Sequence, residues 1–279
     1  MSIWLSMDKN FLINKIKQKK ELRGIADEVV EKTLYSFLAK NPKIEKKISE
    51  SKNLENSSAV EECIKKVRAE LRRVSGSFEI DNKDREILIE QNKISEILST
   101  HSSTKERIEY YDLIYDKIFA ITGTPDSVLD LGCGLNPLSF PLTEQFKKTI
   151  YYASDINKDN LKLVKRYFEK NNIRGRTFFY DLTKIAQDLP KAKVCFLFKV
   201  LDIIETKGHK LAEKIINLLR CKYIVVSFAT KTLSGKKMEH FERGWIERML
   251  NRLNLKWTKF EVENELFYVV EKNIFFPSE

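Results

Sequence analysis

The segment Ser127–Pro137 reads SVLDLGCGLNP and is the stretch of the sequence best suited to binding chemistry. Apolar residues lead into Asp130, and Gly132 and Gly134 follow where a strand should end. Glycines at that point let the backbone turn tightly and let a bulky ligand approach the main chain. Asp130 could hold an amino group of that ligand, directly or through water. A dinucleotide pattern would need a third glycine where Pro137 stands, so NAD is disfavoured; an ordinary glycine turn is the alternative.

Acidic residues also end the next two predicted strands. Asp155, followed by the apolar Ile156, can accept hydrogen bonds from both hydroxyls of a ribose. Asp181 can accept from the amino group of adenine while Leu182 packs on the ring. Each acid alone could be a loop residue or a helix cap. Together with the glycine segment they predict that S-adenosyl-L-methionine (SAM) binds at successive strand ends.

The fourth predicted strand ends in Lys199, a cation expected at the mouth of the same crevice. Lys199 could neutralise a phosphate or hold a base, although a lysine extending to solvent from a strand end is the alternative. The strand lacks the Asn/Asp-Pro-Pro-aromatic element of exocyclic amine methylation and the Pro-Cys nucleophile of pyrimidine C5 methylation. Cys195 is more typical of a buried apolar position. Without an evident general base, the site favours a target with a free lone pair, such as guanine N7, for which alignment does most of the catalysis.

A basic segment follows the fifth predicted strand. Lys231, Lys236 and Lys237 would contact phosphates of a nucleic acid. Phe228 or Trp245 could stack on a base, but both are equally suited to the core.

The remaining elements place these residues on an α/β framework. Residues 1–100 show helical spacing only, including a helix over 57–75 and another over 84–98. At residue 103 a capping box should start a long helix. Short β-type runs then alternate with helices, which indicates a parallel sheet, and a terminal pair is expected to form an antiparallel hairpin. The predicted strands are 127–131, 149–154, 176–180, 194–198, 223–228, 256–262 and 266–271. This is the outline of a class I SAM-dependent methyltransferase, with a Rossmann-like, mostly parallel sheet, preceded by a helical domain; we divide the chain into 1–100 and 101–279.

Composition sets further limits. The 279 residues carry a formal net charge of +10, which fits a polyanionic partner and a merely soluble, lysine-rich surface about equally well. No apolar run is long enough to cross a bilayer, and the first residues do not form a secretory signal. The four scattered cysteines and three histidines suggest neither disulfides nor a metal centre. We therefore expect a cytoplasmic protein with no membrane and no metal.

The sequence resembles the 16S ribosomal RNA guanine-N7 methyltransferases of the aminoglycoside-resistance group. The resemblance is carried by four elements: HSSTKER at 101–107 leading into VLDLGCGLNPL at 128–138, FLFK at 196–199, SFATKTLSGK at 227–236 and ENELFY at 263–268. They cover most of residues 101–279. The tetrapeptide start MDKN at 7–10 also looks like a family start, so the first six residues are expected to be an upstream extension.

The resemblance implies roles for residues that the sequence alone would not single out. Arg107, which read alone would be an exposed helix residue, would hold the SAM carboxylate. Lys199, Ser227 and Phe228 would position the target base, and Lys199, Lys231 and Lys236 would contact rRNA. The helical domain would dock on the small ribosomal subunit. The expected reaction methylates N7 of a decoding-site guanine in 16S rRNA of the assembled 30S subunit, with S-adenosyl-L-homocysteine as the second product. The enzyme is expected to be a monomer. The resemblance also implies aminoglycoside resistance.

Two other functions remain open from the sequence. One is a class I methyltransferase that acts on another RNA position or on a small molecule. The other is a ribosome-assembly factor that binds SAM only as a structural ligand.

Overall fold

The computed structural model describes residues 5–81, 83–141, 143–184, 189–205, 208–231, 238 and 242–272. The chain forms two compact units. Unit 1 consists of Met1–Asn82 together with Ile156–Asp159, and unit 2 consists of Lys83–Asp155 together with Asn160–Glu279. The boundary predicted at residue 100 lies within unit 2, because the short helices between residues 83 and 100 fall in the unit that contains the sheet.

Unit 1 is built from helices whose apolar residues recur every three or four positions. The helices are α1 (Leu5–Lys17), α2 (Asp27–Lys40), α3 (Pro42–Ser49) and α4 (Ser58–Val74). Helix α2 ends at Lys40 because Asn41 precedes a proline and adopts a φ of −131°. Pro42 then opens α3, where its missing N–H costs nothing. The predicted helix over 57–75 corresponds to α4, whose stripe includes Cys63 and Leu71, both fully buried.

The interior of unit 1 is apolar, and a side chain of α4 satisfies the last turn of α1. Ile16, Leu22 and Ile25 are fully buried in this core. Arg68 of α4 donates hydrogen bonds to the backbone carbonyls of Lys15 and, at 3.2 Å, of Ile16. These carbonyls belong to the last turn of α1, which has no partners within its own helix. The arginine therefore fixes α1 against α4.

Unit 2 contains one seven-stranded sheet with the order β3-β2-β1-β4-β5-β7-β6. Strands β1 to β5 are parallel, and β7 is antiparallel to both β5 and β6. The predicted parallel sheet and terminal hairpin are thus confirmed, with each strand end within about two residues of its predicted position. The strands are β1 (Ser127–Leu131), β2 (Ile150–Asp155), β3 (Gly175–Phe179), β4 (Ala192–Phe198), β5 (Cys221–Ala229), β6 (Lys256–Val262) and β7 (Glu265–Glu271).

Eight described helices accompany the sheet, and two predictions about them were wrong. The expected helix over 84–98 is two helices, because Asn92 adopts a left-handed φ of 57° and ends the first. The expected capping box at residue 103 does not form; a short helix begins after His101 and stops before Arg107. The helices are α5 (Arg85–Glu90), α6 (Ile94–Leu98), α7 (Ser102–Lys105), α8 (Tyr111–Thr122), α9 (Lys158–Lys170), α10 (Leu201–Ile204), α11 (Lys210–Leu218) and α12 (Gly244–Arg252).

The sheet separates two hydrophobic clusters. Val128 and Phe196 belong to one cluster, whereas their strand neighbours Leu129 and Cys195 belong to the other. Successive side chains of a strand point to opposite faces, so both faces of the central strands are covered. The carboxyl ends of β1, β2, β4 and β5 consequently form one rigid edge on which functional groups can be held.

Candidate cofactor and target site

The loop after β1 requires both of its glycines. Gly132 and Gly134 have φ values of +68° and +50°, in the left-handed region that side chains disfavour. A Cβ on Gly132 would lie 2.7 Å from Cγ2 of Val200, and one on Gly134 would lie 3.0 Å from the imidazole of His101. The loop therefore lies tightly against two neighbouring segments, with no room for side chains at these positions.

Asp155, at the end of β2, is joined directly to this loop. Its Oδ2 accepts a hydrogen bond of 2.7 Å from the backbone N–H of Gly134. The backbone N–H of Cys133 donates to the carbonyl of Ser154 at 2.9 Å. The Asp155 residue is buried, with 8% exposure. The structure thus brings two of the residues that the sequence assigned to one ligand into hydrogen-bonding contact.

Asp130, near the end of β1, holds the same loop through a hydrogen bond with Asn136. Its Oδ2 accepts hydrogen bonds from Nδ2 of Asn136 at 2.9 Å and from the hydroxyl of Tyr151 at 2.7 Å. Burial raises the pKa of the Asp130 carboxyl to about 6, although both hydrogen bonds lower it. The geometry shows Asp130 holding Asn136, so its predicted contact with an amino group of the ligand stays a prediction.

The remaining predicted nucleoside contacts are spread over two strand ends. Asp181 follows β3, and its Oδ1 accepts hydrogen bonds from the backbone N–H and the hydroxyl of Thr183 at 2.9 and 2.5 Å. Leu182 is buried, with 6% exposure, among apolar residues of unit 2. Ile156 packs against the core of unit 1, and its carbonyl accepts from the N–H of Ala26 at 2.9 Å. Their roles toward adenine stay predictions.

A buried charge network joins Arg107 to the ends of three strands. Arg107 donates from Nε and Nη2 to the two carboxylate oxygens of Glu265, both at 2.8 Å. Nζ of Lys199 lies 3.4 Å from Glu265 and 2.5 Å from Oε2 of Glu106. The Ser227 hydroxyl donates to Glu265 and accepts from the backbone N–H of Lys199 at 3.0 Å. These five residues are called the Glu265 network below.

Arg107 is therefore a buried residue at 3% exposure and not the exposed helix residue that its local sequence suggests. Burial opposes its charge, but the Glu265 carboxylate holds its pKa well above the usual value. His101 is also buried, and burial together with the charges of Arg85, Arg107 and Lys199 lowers its pKa to about 3. A neutral imidazole thus lies between the glycine loop and a cationic environment.

Lys199 itself adopts a left-handed φ of 56°, which is uncommon for a residue other than glycine. This backbone turn ends β4 and directs the side chain into the Glu265 network instead of along the strand. The alternative of a lysine extending freely to solvent does not fit its 9% exposure. A strained, buried cation at a strand end is typical of a functional position.

Phe228 occupies the core, which was one of its two alternatives in the sequence. The side chain is fully buried, and its ring lies edge-on to those of Trp245 and Tyr268, with centroids 5.8 and 6.0 Å apart. Trp245 stacks in parallel on His209 at 4.0 Å. In this conformation Phe228 has no free face for a base, and it supports Trp245 from within.

The basic segment after β5 is described only in part. Lys231 is 37% exposed at its side chain and forms an ion pair of 3.2 Å with Glu263. Arg243 forms an ion pair of 2.8 Å with Asp202. Lys236 and Lys237 lie outside the described residues.

The described cysteines do not provide a nucleophile. Cys195 is fully buried, and burial raises the pKa of its thiol well above the usual value. Burial also raises the pKa of the thiol of Cys133, which lies within the glycine loop. Among the described residues, no group of three histidine, cysteine or acidic side chains is arranged to hold a metal ion.

The donor set around the glycine loop fits SAM in chemistry. Carboxylates of Asp155 and Asp181 suit ribose hydroxyls and an adenine amino group, and the cation of Arg107 suits a carboxylate. The glycine loop is held in place by its neighbours, since a Cβ at Gly132 or Gly134 would collide with Val200 or His101. The amide oxygen of Asn136 is buried there without a hydrogen-bond partner among the described residues. A buried polar atom without a partner thus lies in the loop where such a ligand would be held.

Comparison with known proteins identifies the family. A family model described as "Ribosomal RNA methyltransferase (FmrO)" matches residues 24–269, which includes nearly all of the described chain. The chain belongs to the FmrO family of ribosomal RNA methyltransferases. The resemblance read from its sequence elements is confirmed at this level.

Three similar proteins share one name. A 16S rRNA (guanine(1405)-N(7))-methyltransferase of Micromonospora rosea is 32% identical over 177 residues, 63% of this chain and 64% of that protein. Proteins of the same name from Frankia casuarinae and Serratia marcescens are 30% and 31% identical over 181 and 194 residues, 64% of this chain and 64% and 70% of theirs. The matched part thus spans slightly less than two thirds of the length of the first two of these relatives.

Solved structures extend the similarity to nearly the whole chain. The 16S rRNA methyltransferase RmtF, in complex with S-adenosyl-L-homocysteine, superposes with a TM-score of 0.76 at 21% identity, covering 96% of this chain and 99% of RmtF. The 16S rRNA methylase RmtB gives a TM-score of 0.72 at 21% identity over 96% and 99%. At this identity the comparison establishes the fold, and the class I methyltransferase fold predicted from the sequence is confirmed.

Glu265 and His101 of this FmrO-family chain were not predicted as site residues. Both stand in elements that carried the family resemblance, His101 as the first residue of HSSTKER and Glu265 within ENELFY. The presence of charged or titratable residues inside those short elements was the feature of the sequence that could have indicated a role in the site.

Proposed function

We propose that this protein is a SAM-dependent methyltransferase that modifies N7 of a guanine in 16S rRNA of the assembled 30S subunit. The target would be the guanine numbered 1405 in the names of its relatives. The match to the ribosomal RNA methyltransferase family over residues 24–269 carries this proposal, because it covers most of both units. S-adenosyl-L-homocysteine would be the second product.

When bound, SAM would supply a methyl group on a sulfonium. Asp155 would accept hydrogen bonds from the ribose hydroxyls, and Asp181 would accept from the adenine amino group, with Ile156 and Leu182 as apolar neighbours. Gly132 and Gly134 would let the nucleoside approach the backbone, and Asp130 would hold the loop through Asn136 or reach the ligand through water. Arg107 would bind the methionyl carboxylate, for which its planar fork is suited.

The target atom needs no proton removed, since guanine N7 carries a free lone pair. Catalysis would then rest on alignment of the base with the methyl group, and the chain would need to supply only position and charge. Buried cysteines with raised pKa values agree with a reaction that uses no thiolate.

The Glu265 network would provide that position at the strand ends. Lys199, held by Glu106 and Glu265, would present its ammonium group toward the target nucleotide. Ser227 would fix the turn after β4 through its hydrogen bond with the backbone N–H of Lys199. Phe228 would act from the core by supporting Trp245.

Basic residues of both units would bind the rRNA backbone. In unit 2 these are Lys231, together with Lys236 and Lys237. In unit 1 a groove of about 380 Å³ is lined by five cations and two acids, an excess of positive charge that would suit phosphates. The cations are Lys15, Lys19, Lys65, Arg68 and Arg72. Through this groove unit 1 would dock on the 30S ribosomal subunit, which would place the protein in the cytoplasm.

The decisive experiment supplies labelled SAM with purified 30S subunits or with naked 16S rRNA. We expect label in the RNA of the 30S subunits and much less in naked RNA. Reduction and strand scission at N7-methylguanine, followed by primer extension, should then stop at one nucleotide. A mark on a different nucleotide would assign another RNA specificity, and binding of SAM with no transfer to either substrate would contradict the enzymatic proposal.

A further inference from the structure

Glu265 is in charged contact with two residues that the sequence assigned to the site, Arg107 and Lys199. It is the first residue of β7, where it lies opposite Ala229 of β5. Its carboxylate accepts from Arg107 at both oxygens, lies near Lys199 and accepts from Ser227. Its side chain is only 4% exposed. This carboxylate therefore has little access to solvent, and it forms its hydrogen bonds and ion pairs with these three neighbours.

The guanidinium of Arg107 has a fixed orientation as a result. One face lies over the ring of Phe198, with Cζ 5.0 Å from the ring centroid. The edge formed by Nε and Nη2 is used by Glu265. Arginine has five N–H donors in a rigid plane, so a second carboxylate can bind at the Nη1 side without displacing Glu265.

The charges of the Glu265 network are matched as long as Glu265 is present. Burial alone would raise the pKa of its carboxyl, but the charges of Arg107 and Lys199 keep it below the usual value. Removing this charge would leave the two cations with Glu106 as the remaining carboxylate of the network, and Glu106 contacts Lys199. Arg107 would then lose both the counter-charge and the bonds that define its plane.

We propose that Glu265 is a positioning residue, which turns the Nη1 side of Arg107 toward the amino-acid carboxylate of the bound cofactor. The proposal rests on SAM being the cofactor, as in the proposed function. Glu265 touches neither the cofactor nor the target; it acts through Arg107. The affected contact is only the one made to the methionyl carboxylate, and the nucleoside contacts of the strand ends remain.

Two ligands that differ in this one part test the proposal by titration calorimetry. S-adenosyl-L-homocysteine contains the amino-acid carboxylate, and 5′-methylthioadenosine lacks the amino-acid group. Glu265→Gln preserves side-chain size but removes the charge. We expect its affinity for S-adenosyl-L-homocysteine to fall roughly tenfold or more, since bidentate charge-assisted hydrogen bonds are sensitive to orientation, while its affinity for 5′-methylthioadenosine changes little.

Glu263→Gln is the matched control, because Glu263 lies in the same turn and is 44% exposed at its side chain. We expect this variant to bind both ligands as the unaltered protein does. If Glu265→Gln fails to fold, Ser227→Ala replaces it. This variant removes the hydroxyl that donates to Glu265 and accepts from the backbone N–H of Lys199, and that N–H keeps its bond of 3.1 Å to the carbonyl of Ser227. It should weaken the binding of S-adenosyl-L-homocysteine by a few fold, again without affecting 5′-methylthioadenosine.

Equal losses for both ligands would mean that Glu265 merely stabilises the fold, and unchanged binding of both would mean that Arg107 needs no orientation by Glu265. Either result would overturn the inference. Failure of the unaltered protein to bind S-adenosyl-L-homocysteine would instead overturn the proposed function, so the two proposals fail in different ways.

Discussion

Replacing Tyr151 by phenylalanine should destabilise unit 2 more at pH 8 than at pH 4.5. The Tyr151 hydroxyl donates a 2.7 Å hydrogen bond to Oδ2 of the buried Asp130 carboxylate. Phenylalanine keeps the ring among its neighbours and removes only that donor. The effect should therefore follow the ionisation of Asp130.

The magnitude follows from the charge on Asp130. With a pKa of about 6 in the fold against an ordinary 3.8, the carboxyl is ionised at pH 8 and protonated at pH 4.5. A hydrogen bond to a charged group contributes about 1.5–3 kcal/mol to stability, and one to a neutral group about 1 kcal/mol. We therefore expect Tyr151→Phe to lower the free energy of unfolding by about 1.5–3 kcal/mol at pH 8 and by about 1 kcal/mol at pH 4.5.

The sign agrees with linkage. Because the folded pKa of Asp130 is above the unfolded value, its contribution to stability is complete below pH 3.8 and is lost as the pH rises through about 6. Loss of the tyrosine donor raises the folded pKa further, so the variant loses more stability than the unaltered protein over that range. The gap between the two proteins must widen with pH.

Urea unfolding followed by near-UV circular dichroism at the two pH values measures this gap. Tyr152→Phe is the control, because Tyr152 is the next residue of β2 and packs against the other hydrophobic cluster, on the opposite face of the sheet from Tyr151. A loss for Tyr151→Phe that is the same at both pH values, or larger at pH 4.5, would refute the reasoning.

Three further substitutions test the site. Asp155→Ala should weaken SAM binding at least about tenfold by calorimetry, whereas Asp126→Ala, at the opposite end of the sheet, should not; equal affinities would remove the ribose assignment. Gly132→Ala should lower the free energy of unfolding by about 1–2 kcal/mol from its left-handed backbone alone, and an unchanged urea midpoint would show that the loop can relax. Lys231→Glu should weaken binding to 30S subunits and reduce its salt dependence without changing SAM affinity, while Lys165→Glu on α9 serves as the surface control; similar binding by both would count against an RNA contact at Lys231.

Strand positions were predictable because they depend on local pattern. In β1, five residues of β-type character are followed by glycines that can only belong to a turn, and the observed strand has the predicted bounds. The hairpin was predictable for the same reason, since two β-type runs flank the short turn at Glu263. The ends of helices were harder to predict from the sequence. The break after α5 depends on the left-handed backbone conformation of Asn92, and nothing in the local sequence requires that conformation.

The environment of Arg107 could not be read locally. Its partner Glu265 is 158 positions away, and only the assembled order β5-β7 brings them together. The same holds for Phe228, whose local pattern fitted a core residue and a stacking platform equally. Long-range pairing decides such cases, and a single sequence without pairing information contains no record of it.

The position of β7 has a consequence for biosynthesis. Ribosomes release a polypeptide in order, so the segment with HSSTKER and the β4 lysine emerges well before the strand that inserts between β5 and β6. Until that insertion, Arg107 and Lys199 lack the acid that unites them. In a partly synthesised chain the Glu265 network would accordingly be incomplete, and it could form only after β6 and β7 have joined the sheet.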